Sequence, residues 1–64
     1  MTPLTLRHRL NLSQTAFWSR VHVTQSGGSR YETGRRVPKH ILTLIEIAYG
    51  SDRDAARAVR RLRG

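Results

Sequence analysis

Residues 13 to 34 read SQTAFWSRVHVTQSGGSRYETG, and two residues in this stretch leave the backbone little choice. Ser13 and Thr24 are both strong helix starters, because a side-chain oxygen at the N-cap accepts a hydrogen bond from an otherwise unpartnered N–H in the first turn. Between these caps there is room for one short helix and a tight turn. The spacing therefore predicts a helix over about 13–20, a turn at Val21-His22-Val23 and a second helix over about 24–32. His22 falls where a left-handed residue is often needed, and His tolerates that region better than most non-glycine residues. The second helix carries Gly27-Gly28 in its interior, and each glycine costs about 1 kcal/mol of helix propensity relative to alanine. A chain of 64 residues has little stability to spare, so packing has to explain them.

The rest of the chain also has helical spacing. Thr2 is a cap with Pro3 at the first helical position, and Leu6 and Leu10 share a face. Pro38 starts a fourth helix bearing Ile41, Leu44, Ile45 and Ala48, and Gly50 stops it. Ser51 caps a last helix over about 51–63, with Asp52 and Asp54 at its positive end. No alternating strand pattern of useful length occurs. The expectation is an all-α fold, a compact five-helix single domain over 1–64. Its core is expected to hold Leu6, Leu10, Phe17, Trp18, Val21, Gly28, Tyr31, Leu44, Ile45 and Ala48.

Charge narrows the function. Twelve Lys+Arg against four Asp+Glu give a net charge of +8, which favours polyanions through counterion release from phosphates. With no cysteine, neither a disulfide framework nor a thiolate metal site is available. His8, His22 and His40 are far apart and lack metal-ligand spacing, so no metal and no cofactor is expected. No acid, base and nucleophile can be assembled, so the chain is expected not to be an enzyme. No run of about 18 apolar residues could span a membrane. Arg7 and Arg9 fall where a signal peptide would be apolar. The expected state is an intact, soluble, cytoplasmic protein without a ligand-binding or protease-like domain.

The segment LSQTAFWSRVHVTQSGGSRYETGRRVP resembles the helix-turn-helix signature of the lambda-repressor-like (Xre/Cro-type) family of transcriptional regulators. Leu12, Ser13, Gln14, Phe17, Val21, Val23, Thr24, Ser29, Tyr31, Glu32, Gly34 and Pro38 carry the match. Three positions depart from it. His22 replaces the turn glycine, Trp18 replaces a small alanine, and Gly28 replaces a branched apolar residue. In that family the last two positions face each other, so a large-for-small exchange matched by a small-for-large one would conserve core volume. The resemblance thus implies that the Trp18 indole lies over Gly28.

The resemblance also implies a set of contacts with double-stranded DNA. The third helix would enter the major groove and read bases with Gln25, Ser26, Gly27, Ser29 and Arg30. Gln pairs bidentately with adenine and Arg with guanine. Gly27 would either allow close approach to a base or be a tolerated surface glycine. Phosphates would be met by Ser13, Gln14, Arg20, Thr24, Thr33, Arg35, Arg36 and Lys39. Glu32 is read as structural, paired with a nearby Arg. Ala55, Ala58, Val59 and Leu62 form a thin apolar stripe on the last helix and are the candidate dimer interface, unless that helix packs only on its own domain.

The functional expectation is a sequence-specific transcriptional regulator, a small (auto)repressor of a phage or mobile-element operon that binds an inverted-repeat operator as a homodimer. Small proteins with this layout include anti-CRISPR-associated repressors and antitoxins. The alternative is therefore an antitoxin-type protein that neutralises a partner protein and binds its own promoter. RNA binding would favour exposed aromatics for base stacking, and Phe17, Trp18 and Tyr31 are expected in the core.

Overall fold

The computed structural model describes residues 2–64. Those residues form five helices: α1 (Pro3–Arg9), α2 (Gln14–Ser19), α3 (Gln25–Glu32), α4 (Lys39–Tyr49) and α5 (Asp52–Arg63). The fold is all-helical. Thr2, Ser13, Thr24 and Ser51 each accept a backbone N–H three residues on, so four helices start at a hydroxyl cap. The fourth differs: Pro38 is its N-cap rather than its first turn, and makes no side-chain capping bond.

The first three connections between helices use positive φ, whereas Gly50 between α4 and α5 does not. Asn11 at 56° links α1 to α2, and His22 at 62° links α2 to α3. In the second turn the amides of Val21 and Val23 both bond to the Trp18 carbonyl, and that of His22 to Ser19. Gly34, at φ 124°, follows α3.

Helix α2 packs on α3, and α4 on α5. Phe17, Trp18, Val21, Ile41 and Ile45 form the buried cluster, with Leu6, Leu12, Tyr31, Leu44 and Ala48 among the half-buried residues around it. Phe17 stacks on Tyr49 at 4.4 Å between ring centroids, and the Tyr49 hydroxyl donates to the Phe17 carbonyl at 2.6 Å. That pair fastens the end of α4 to α2. Burial raises the Tyr49 phenol above its ordinary value, against the opposing charge of Arg20.

Two expectations need correction. Leu10 is not in the core but 41% exposed. Helix α1 ends at Arg9, and Leu10 is its C-cap. The left-handed Asn11 then turns the chain, and Leu12 is the residue that packs on the cluster. Ala58 is fully buried at 0% exposure, so its methyl group is held within its own domain and cannot contact a partner.

Candidate nucleic-acid interface

The glycine pair in α3 has a steric cause. A Cβ on Gly28 would collide with Cδ1 and Cγ of the Trp18 indole and lie 2.8 Å from its Nε1. The indole thus fills the space a side chain at 28 would need. Burying a tryptophan more than offsets the helix propensity lost at one glycine. Gly27 is less constrained. A Cβ there would sit 3.1 Å from Val23 Cγ1 and 3.3 Å from Thr24 Oγ1, so its absence relieves crowding beneath the cap.

With Gly28 turned inward, helical geometry sets the rest of α3. Ser26 and Arg30 lie opposite Gly28 and are exposed; Gln25 is exposed at the start of the helix; Gly27 and Ser29 are half-buried on its flanks. The whole molecule measures 31 × 21 × 19 Å. A body of that size cannot enter a major groove about 12 Å wide, but a projecting helix can.

A buried carboxylate holds this helix to its neighbours. Glu32, the last residue of α3, accepts from Arg7 Nε at 2.8 Å, Arg7 Nη2 at 2.9 Å, Gln14 Nε2 at 3.1 Å and Trp18 Nε1 at 2.7 Å. Arg7 also donates through Nη1 to the Leu12 carbonyl at 2.9 Å. Burial alone would push the Glu32 carboxyl up. The hydrogen bonds from Arg7, Trp18 and Gln14, with the Arg7 charge, outweigh it and hold the group below its ordinary value. Helices α1, α2 and α3 thus meet at one charge. A structural role for Glu32 is legible in the sequence, but its pairing with Arg7 is not. The two lie 25 residues apart, beyond the reach of any helical periodicity.

The network extends to the surface. Gln25 Nε2 donates to Gln14 Oε1 at 3.0 Å. The Gln14 side chain, expected at a phosphate, is therefore engaged at both ends by protein groups. Thr33, also expected at a phosphate, donates its hydroxyl to the carbonyls of Ser29 and Arg30 at the end of α3, at 3.0 and 3.1 Å. Ser13 and Thr24 accept in their caps, which leaves each O–H able to donate outward. Arg20 stands over the Tyr49 ring, 5.6 Å from its centroid.

Arg35, Arg36 and Lys39 are exposed along the α3–α4 connection and the start of α4. Among the described residues the ion pairs are Arg7–Glu32 and Arg61–Glu46, so Arg30, Arg35, Arg36 and Lys39 have no carboxylate partner. On α5, Ala55 is half-buried, Val59 is exposed, and Leu62 is 63% exposed. Among the described residues no group of three or more His, Cys, Asp or Glu converges as metal ligands. No helix there is long and apolar enough to cross a membrane.

A family described as the RsaL-like HTH domain matches residues 4–48, from α1 to the last turn of α4. No curated protein and no solved structure matches the chain.

Proposed function

The chain belongs to the RsaL-like HTH domain family, a helix-turn-helix family related to Xre-type regulators, and from that premise we propose that it is a non-catalytic, cytoplasmic, sequence-specific regulator of transcription that reads double-stranded DNA. Helix α3 enters the major groove. Gln25, Ser26, Ser29 and Arg30 meet base edges, with Gly27 facing the groove between them. Ser13, Thr24, Arg35, Arg36 and Lys39 meet phosphates, and Arg20 supports them. The observation that carries this reading is the exposed face of α3, Ser26 and Arg30 opposite the buried Gly28, beside cations that no carboxylate neutralises.

One module of this size covers too little DNA for high specificity, and two half-sites multiply it. The protein therefore acts as a homodimer on an inverted repeat, with half-site centres about 34 Å apart on one face of the duplex. Ala55, Val59 and Leu62 supply the dimer contact. A single reading helix fits an autorepressor of a phage or mobile-element operon.

The second reading is an antitoxin-type protein that neutralises a partner. An open apolar groove of about 370 Å³ favours it; Leu6, Leu42, Ile45 and Tyr49 are among its lining residues.

Selection of bound duplexes from a random DNA pool, at about 150 mM salt to suppress purely electrostatic binding, tests the proposal. The expected result is an enriched inverted repeat. Enrichment of a single half-site would remove the homodimer. No enrichment, with random RNA or DNA competing equally, would remove specific readout and leave the partner-binding reading.

A further inference from the structure

The four hydrogen bonds onto Glu32 have a direction, and that direction propagates. An ionised carboxylate has no hydrogen to donate and offers about four acceptor sites. Arg7 Nε and Trp18 Nε1 share Oε2, while Arg7 Nη2 and Gln14 Nε2 share Oε1. Arg7 and Trp18 are donors only at these atoms. Gln14 is the one group on the carboxylate that could have turned either end toward it. Facing an acceptor, it has to present its NH₂. Its carbonyl oxygen then points at Gln25, which must answer with its own NH₂.

The outcome is a fixed polarity at the exposed end. Gln25 spends one amide hydrogen on Gln14, keeping its Oε1 and its second amide hydrogen for an outside partner. One acceptor beside one donor is the set that pairs with the N6 amino group and N7 of adenine. A Gln25 turned the other way would present both amide hydrogens outward and keep only the second lone pair of an Oε1 already bonded to Gln14. Trp18 makes the arrangement rigid. Its indole is fully buried and edge-packed on Phe17 at 5.1 Å. Gln14 and Trp18 are four apart on α2, so they share a face and grip Glu32 from the same helix.

We propose that Glu32, clamped by Arg7 and Trp18, is a specificity-determining residue that never touches DNA: through Gln14 it sets the amide orientation of Gln25 and so the base Gln25 accepts. Trp18 acts here as a positioning residue. This rests on the DNA-reading function proposed above.

The test starts with the motif selected by the wild-type protein and the base pair whose preference disappears in Gln25→Ala. Glu32→Gln gives Gln14 a neighbour that can also donate, so the relay can reverse. Gln14→Met cuts the relay at the cost of one of the four donors on Glu32, leaves the bonds from Arg7 and Trp18 in place, and keeps the test decisive if Glu32→Gln does not fold. Both folded variants are expected to lose tenfold or so of discrimination at the Gln25 base pair, within the range of one bidentate contact, while preference at the remaining positions is retained.

Unchanged discrimination at the Gln25 base pair in a folded variant overturns the relay and leaves the DNA-reading function standing. Equal loss at every position overturns it too, because it shows a merely structural role. So does a Gln25→Ala protein that selects the wild-type motif. A wild-type protein that selects no motif overturns the DNA-reading function and the relay together.

Discussion

The two ion pairs among the described residues have the same closest approach and opposite surroundings. Arg7–Glu32 and Arg61–Glu46 both measure 2.8 Å, but side-chain exposure is 15% and 5% in the first and 53% and 35% in the second. The buried pair joins α1 to α3 and collects Gln14 and Trp18 from α2 on the same carboxylate. The exposed pair bridges α4 and α5, which already pack on each other. Distance does not separate these pairs; desolvation and the number of donors do. In water a pair of long side chains gains little, whereas a buried carboxylate left without its donors is costly. Helices α1, α2 and α3 thus meet at a charge shielded from water, on top of the apolar cluster they share with α4, whereas the charge pair between α4 and α5 lies at the surface. Helix α3 belongs to the first group, in which orientation is set by directional bonds.

The largest expected effect tests the packing beneath that charge. Gly28→Ile drives a branched side chain into the Trp18 indole, and should cost about 3 kcal/mol, near the upper end for overpacking. For a domain this small that lowers the melting temperature by roughly 12–24 °C in a thermal unfolding scan. A rise would mean that the indole does not occupy this space.

The next is a direct comparison of the carboxylates. Glu32→Ala should cost about 2–3 kcal/mol, since it strands Arg7 and removes the acceptor for Trp18 and Gln14. Glu46→Ala should cost under about 1 kcal/mol. Equal losses in denaturant unfolding would erase the contrast between the two pairs.

Titration sharpens it. Because folding holds the Glu32 carboxyl below its ordinary value of 4.5, its contribution is fully present above that value. It is lost as pH falls through 4.5 and on through the lower folded value. The melting temperature of the wild type should fall in that window, and Glu32→Gln should fall less steeply. Parallel curves would remove Glu32 as the group responsible.

The smallest effect concerns the exposed pair. Arg61→Ala should change stability by less than about 1 kcal/mol, and the change should shrink further at about 1 M salt, where screening acts within about 3 Å. A larger, salt-insensitive loss would place that pair in the same class as Arg7–Glu32.

How much of this could be read beforehand follows from how far each interaction reaches along the chain. The caps at Thr2, Ser13, Thr24 and Ser51 bond three residues ahead, so local sequence alone announces those helix starts and the all-helical class. The matched departures at Trp18 and Gly28 were also legible, because the resemblance to the lambda-repressor-like signature implies that those two positions face each other. Leu10 and Ala58 were not. The first depends on the left-handed Asn11 that swings Leu12 inward, and the second on how α5 lies against the rest of the domain. Nor was the site's interior. Arg7 reaches Glu32 across 25 residues, and Tyr49 reaches the Phe17 carbonyl across 32. Sequence by itself determined the helices and the cationic surface, because capping is local and charge is additive. Only the tertiary structure decided which donors converge on Glu32 and how Gln14 and Gln25 are turned. Those choices arise where three helices meet, and no single helix carries the pattern.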